Sequence, residues 1–194
     1  MKFYNWHQQE GIVTNFVKLL KEHQGLPNLN YLQIGVYTGD ASLWLMRNVL
    51  SHETSRLTDV DIWDLIHPDD CPLSDQNWVD VETFYNRQVF PYKHRINKHK
   101  SFSKDWLLAN RSEQYDFIYI DGDHTPKAFM TDALLSWDLL KVGGILAIDD
   151  YEWSHPMGEH LNPKPAIDSF IEMHKDTSEV LIKNWQVWLK KTKE

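Results

Sequence analysis

The sequence predicts an α/β fold built on a parallel sheet, on three observations. Phe117-Ile118-Tyr119-Ile120 and Ile145 to Ile148 are continuous apolar, β-prone runs, which suits strands buried on both faces. Between them Met130, Leu134, Trp137 and Leu140 recur at helical spacing, after a Thr125 cap and a Pro126 start, and Gly143-Gly144 ends the helix. Earlier, Tyr31, Leu32 and Ile34 form a strand that turns through Gly35 and Gly39 into a second helix. Both central strands run out into acid, at Asp121 and Asp123 and at Asp149 and Asp150. Right-handed crossover brings both strand ends to one sheet edge, so these acids and His124 should cluster.

The remaining elements follow in order. Ile12, Val13, Phe16, Val17, Leu19 and Leu20 keep helical spacing between Glu10 and His23, and Gly25-Leu26-Pro27 stops the run. This leading helix packs on the sheet, covers the site or makes a dimer contact. Ala41 to Leu50 carry Leu43, Leu45, Met46 and Val49 as the buried side of the helix after the glycine turn. Arg56 to Asp61 form the second strand, ending in acid. Residues 62–92 are an insertion of lid character, irregular from Ile62 to Val81, with a helix from Val81 to Phe90 that presents Phe84 and Arg87 and ends at Pro91. His94 to Lys98 are the third strand, and Trp106 and Leu107 point inward from the next helix. After Asp150, residues 151–165 form a second covering loop, followed by a helix with Ala166, Ile167, Phe170 and Ile171. Val180–Ile182 and Trp185–Leu189 close the chain as an edge hairpin.

Composition narrows the function classes. A chain of 194 residues with 42% hydrophobic and 13% aromatic content can bury a core as one domain. The N-terminus lacks a secretory pattern and no apolar run has membrane-spanning length, so a cytoplasmic, membrane-free protein is expected. Cys71 stands alone, which excludes a disulfide framework. A net charge of −8 argues against nucleic-acid partners, and the small basic run Lys93-His94-Arg95 with Lys98-His99-Lys100 reads as a solvated edge.

Three features carry chemistry. Carboxylates gathered at two strand ends repel one another unless a cation joins them, and oxygen ligands without cysteine favour Mg2+, or Mn2+ or Ca2+. Asp-Gly-Asp is also ordinary turn chemistry, so a solvated turn is the competing reading. The Gly35-x-x-x-Gly39 turn exposes backbone N–H groups at a helix start, but it matches neither the dinucleotide nor the triphosphate pattern. It is either a structural turn or the seat of a nucleotide-like ligand without a phosphate chain. An acid about twenty residues further on can hold a ribose, with Asp61 the first candidate and Asp64 the second. Ser101 either touches a base or caps the following helix.

The two blocks YLQIGVYTGDAS and YDFIYIDGDHTPKAFMTDALLSWDLLKVGGILAIDDY together resemble class I S-adenosylmethionine-dependent methyltransferases, in particular the metal-dependent O-methyltransferases of the macrocin and catechol type. The resemblance runs from about Tyr31 to the C-terminus. It implies a Rossmann-like three-layer α/β/α sandwich with a seven-stranded, mostly parallel sheet in the order 3-2-1-4-5-7-6. It also implies a cofactor site at Gln33, Gly35, Tyr37, Thr38, Gly39, Asp61, Ser101 and Asp121. Gly35 and Gly39 would lie against the methionine part, Asp61 would hold the ribose and Ser101 would lie near the adenine. Asp121, Asp149 and Asp150 match the metal-holding positions, and His124 matches the general base. Gln33 and Lys100 depart from the family, which commonly carries acids there.

On this reading a small-molecule or carbohydrate hydroxyl, held beside the metal, loses its proton to His124 and attacks the sulfonium methyl in line. The Trp63, Trp78 and Trp153 loops would suit a flat phenol as well as a sugar. Two rivals remain open: a sugar-nucleotide transferase using Asp121-Gly-Asp123 as a metal-binding DxD, and a cofactor-binding module without catalysis.

Overall fold

The computed structural model describes residues 11–64, 76–155 and 158–194; Cys71 and part of both covering segments lie outside them. Seven strands form one sheet in the order β3-β2-β1-β4-β5-β7-β6, as the resemblance implies. They are β1 (Asn30–Ile34), β2 (Arg56–Asp61), β3 (Ile96–Lys100), β4 (Tyr115–Ile120), β5 (Leu140–Ile148), β6 (Ser178–Lys183) and β7 (Val187–Lys191). β7 alone runs antiparallel to its neighbours, which places the closing hairpin at one edge.

Helices cover both faces. On one side lie α1 (Ile12–Leu19), α2 (Asp40–Asn48) and α3 (Trp78–Val89), and on the other α4 (Ser103–Ala109), α5 (Pro126–Leu139) and α6 (Lys164–Met173). The leading helix packs on the sheet. Its Phe16 meets Tyr119 edge-on at 5.1 Å and Trp188 at 5.0 Å, centroid to centroid, a geometry aromatic quadrupoles favour. Among the described residues, no helix is long and apolar enough to cross a membrane.

Several expectations shift. In α5 the buried stripe is Phe129, Ala133 and Trp137, while Leu134 is 42% exposed, because α6 packs its Phe170 against the Phe129 and Trp137 side. Gly143-Gly144 does not end that helix. Buried Lys191 donates to the Trp137 and Leu140 carbonyls at the helix C-terminus, where a cation is favoured, and β5 starts at once. The glycine pair instead falls at a register irregularity between β4 and β5, with Gly143 at φ +88°. β3 begins two residues later than expected, since Arg95 is buried and spends its guanidinium on the Leu50 and His52 carbonyls. The basic run is therefore not a free cationic edge: Lys98 and Lys100 both pair with Glu82 of α3.

Two internal features support the sheet edge. Gly35 has φ +77°, and a Cβ there would overlap the Asp121 carbonyl and lie 2.7 Å from the Gly122 Cα. Asp59, fully buried in β2, accepts a 2.8 Å hydrogen bond from the Tyr85 hydroxyl of α3, whose ring fills the space a Cβ at Gly39 would take.

Gly35→Ala combines left-handed strain with a backbone overlap and should cost roughly 3 kcal/mol or more in urea unfolding. Gly143→Ala, with no atom within 4 Å of the added carbon, should lose only about 1 kcal/mol. Burial lifts the Asp59 carboxyl from 3.8 to about 7. Between those values the folded protein keeps a proton the unfolded chain has released, so this stabilisation is present at acid pH and lost as pH rises through about 7. Unfolding at pH 5 and pH 8 should show Asp59→Asn removing up to about 3 kcal/mol of that decline.

Candidate active site at the carboxyl edge of the sheet

The parallel ladder continues one residue beyond four strands. Ser101 N donates to the Asp61 carbonyl at 3.0 Å, Gly35 N to Val60 at 3.0 Å, Asp121 N to Ile34 at 2.8 Å and Asp149 N to Ile120 at 3.0 Å. Register alone therefore sets Asp61, Gly35, Asp121 and Asp149 in one row across the edge, with Lys100 at its end and Ser101 one residue beyond.

At the left-handed glycine turn the backbone is held by a carboxylate. Asp61 Oδ2 accepts from Val36 N at 2.7 Å and Tyr37 N at 2.9 Å, and Oδ1 from Trp63 N at 2.6 Å. Burial pushes the Asp61 carboxyl up, opposed by these N–H donors. Asp61 thus organises the loop in which a ribose role was expected of it. Gln33, buried beneath, donates to the Gly35 carbonyl at 3.0 Å and accepts from Ser42 at 3.1 Å, so it shapes the turn from below. Thr38 is buried and bonds Asp40 at 2.6 Å. Tyr37, at φ +51°, lends its carbonyl to the Trp63 indole at 2.9 Å. Trp63 is itself 2% exposed, wedged beside Tyr85, and so is not an acceptor platform. Gly39 starts α2 at φ +81°. Asp64 is exposed. Ser101 does not cap α4; its hydroxyl donates to the Phe102 carbonyl, and Phe102 holds the cap position.

Across the row lie the acids. Asp121, His124 and Asp150 each offer a ligand atom, all within 4.8 Å of one another, and His124 Nε2 lies 3.0 Å from Asp150 Oδ2. Asp150 reaches this position through a left-handed backbone at φ +58°. The neighbouring Asp149 belongs to the row but turns its carboxylate inward. Oδ2 accepts from the Tyr119 hydroxyl and from Gln186 Nε2 at 3.2 Å, and Oδ1 from Asp150 N at 2.9 Å. The expected trio of Asp121, Asp149 and Asp150 is thus gathered by the sheet, with His124 in place of Asp149 among the converging ligand atoms. Burial, then the Asp149 and Asp150 charges, drive the Asp121 carboxyl far up; burial, then Asp150, pushes Asp149 up to about 6. Trp153 packs against the His124 ring at 5.4 Å, and against His155 at 5.0 Å. Asp123 caps the turn, accepting from Thr125 N at 2.9 Å.

Tyr119, Gln186 and Asn15 are the polar members that residue-by-residue reading missed. Tyr119 sits in a strand read as purely apolar, and Gln186 and Asn15 lie far off in sequence, joined to each other at 3.0 Å. The only signal was a phenol amid apolar residues in a buried strand, whose hydroxyl needs a partner.

The fold has known counterparts. A family model described as a methyltransferase domain matches residues 32–151. Tapetum-specific methyltransferase 1 of Arabidopsis thaliana is 30% identical over 140 residues, 71% of this chain and 53% of that protein, so the chain spans about half the length of this curated relative. The O-methyltransferase NovP superposes with a TM-score of 0.71 at 19% identity, covering 97% of this chain and 84% of that one. A MycE methyltransferase of the mycinamycin biosynthetic pathway, solved with Mg and SAH, superposes at 0.64 and 15% identity, covering 100% of this chain and 51% of that one. These two likenesses speak to fold; the family match over the glycine turn and both acidic strand ends identifies the chain as a member of the class I S-adenosylmethionine-dependent methyltransferase family.

Proposed function

We propose that this chain is an S-adenosylmethionine-dependent, divalent-cation-assisted O-methyltransferase acting on a hydroxyl of a small molecule or sugar. One observation carries the reading: Asp121, His124 and Asp150 converge within 4.8 Å directly beside the glycine turn, whose Gly35 abuts the Asp121 backbone. The donor set fits a divalent cation, since hard oxygens and one imidazole nitrogen meet where buried acids otherwise repel. Asp121 and Asp150 would hold the ion, with Asp149 behind them.

Bound there, the cation supplies charge that makes an acceptor hydroxyl more acidic, and the cofactor supplies an electrophilic methyl group. The chain does the rest. The Gly35–Gly39 turn, kept open by Asp61 and Gln33, seats the cofactor, and Asp61 and Ser101 border its ribose and base. Trp153 and Asp150 hold the His124 ring, which takes the acceptor's proton at a ring nitrogen. The proximity of a held hydroxyl to a held methyl provides much of the acceleration. The sugar-nucleotide alternative is less favoured because Asp123 is not among the converging ligand atoms of Asp121, His124 and Asp150, and its Oδ1 accepts from Thr125 N.

A second reading, with His124 as a cation ligand, is favoured by its place among the converging atoms. The two separate by measurement. If His124 is the base, His124→Ala lowers methyl transfer to catechol or sugar acceptors at least about 100-fold, while affinities for S-adenosylhomocysteine and Mn2+ by calorimetry stay within about twofold. A tenfold or greater loss of Mn2+ affinity makes it a ligand, and wild-type turnover removes it from the reaction. In wild type, S-adenosylhomocysteine should bind and raise the melting temperature, and a sugar nucleotide should do neither; the reverse result would overturn the function itself.

A further inference from the structure

A buried polar chain links the leading helix to the acid cluster. Asn15 of α1 is 5% exposed and Gln186, just before β7, is fully buried. Gln186 Oε1 accepts from Asn15 Nδ2 at 3.0 Å and from Trp188 Nε1 at 3.0 Å. An indole nitrogen only donates, so the Gln186 amide cannot be reversed without facing donor against donor. Its Nε2 must therefore point at Asp149 Oδ2, 3.2 Å away. The Tyr119 hydroxyl fixes that same oxygen from β4. With Oδ2 held twice, Oδ1 is left to grip Asp150 N at 2.9 Å, at the residue whose left-handed backbone aims its carboxylate at His124 and Asp121.

We infer that Gln186, backed by Asn15 and Trp188, is a positioning residue for the cation site, and that docking of α1 is thereby coupled to cation binding. The inference rests on the proposed reading of that site. Groups behind metal ligands orient them, and their loss typically weakens metal affinity 10- to 100-fold. Coupling is reciprocal, so the ion must in turn hold α1 in place.

The test measures Mn2+ binding by calorimetry and electron paramagnetic resonance, with S-adenosylhomocysteine affinity as the internal control. Gln186→Leu should raise the Mn2+ dissociation constant about 10- to 100-fold and leave S-adenosylhomocysteine affinity within about twofold. Asn15→Ala and Trp188→Phe, one link further away, should each raise the Mn2+ constant about threefold or more, and they carry the test should Gln186→Leu not fold. Mn2+ should slow amide exchange in Ile12–Leu19 of the wild type and not of the Asn15→Ala variant. A merely structural role would weaken cofactor and Mn2+ binding together, and that result overturns the inference, as does unchanged Mn2+ affinity in the folded variants. If the wild type binds no Mn2+, the cation site fails and the inference falls with it.

Discussion

The turn leaving β1 packs backbone to backbone against the turn leaving β4, at Gly35 and Asp121-Gly122, with no room for a Cβ between them. β1 and β4 are also where the strand order reverses, β2 and β3 lying to one side of β1 and β4 and β5 to the other. At such a switch point the two connections leave on opposite faces and open a crevice above the strand ends. Only a residue without Cβ lets the floor of that crevice close, so Gly35 brings a cofactor-type turn and an acidic turn into one site. The rest of the architecture preserves this contact. Gln33 braces it from below, Asp61 ties the turn to β2, and the Asp121 amide stays in the ladder with Ile34.

The carboxylates at this edge face one problem and solve it differently. Asp59, Asp61, Asp121 and Asp149 are desolvated, which disfavours their charged forms. Asp61 is met by N–H groups of the glycine turn, Val36 and Tyr37, and of its own loop, Trp63, which oppose the upward push of burial. Asp59 has the Tyr85 and Ser42 hydroxyls beside it, too little to offset its burial, and it shifts towards the neutral acid. The Asp149 and Asp150 charges add to the burial of Asp121, the Asp150 charge adds to that of Asp149, and the His124 imidazole lies beside Asp150. On the proposed reading, a divalent cation would supply the compensation that these acids lack.

Much of this was legible in the sequence because it follows from local rules. Unbroken apolar runs ending in acid gave β4 and β5, and parallel register did the rest, since strands in register deliver their terminal residues to one row. What escaped was set by partners distant in sequence. Helical spacing placed Leu134 inward, but α6 lies on the side of Phe129, a choice no window around α5 contains. Glycines were read as a helix stop, although Lys191, some fifty residues further on, closes α5 through its carbonyls. Trp63 looked like a loop aromatic available to substrate and is instead the wedge under the glycine turn, as its indole N–H had a carbonyl to meet.

The same distinction explains why Asp149 and Asp150, adjacent in sequence and alike in chemistry, part ways. An extended strand sends successive side chains to opposite faces, and Asp149 falls on the face that α1 and Trp188 cover, where polar atoms survive only with partners. Tyr119 and Gln186 are those partners, and Gln186 is itself held by Asn15 of α1. Asp150 falls where the chain has left the sheet, and its left-handed backbone turns it back over the edge towards Asp121 and His124. One acid is thereby made part of the core and the other is exposed to chemistry, and the hydrogen bond between Asp149 Oδ1 and the Asp150 amide makes the second depend on the first. A site assembled this way has its geometry fixed from inside the protein before any ligand arrives, which is the condition for electrostatic preorganisation.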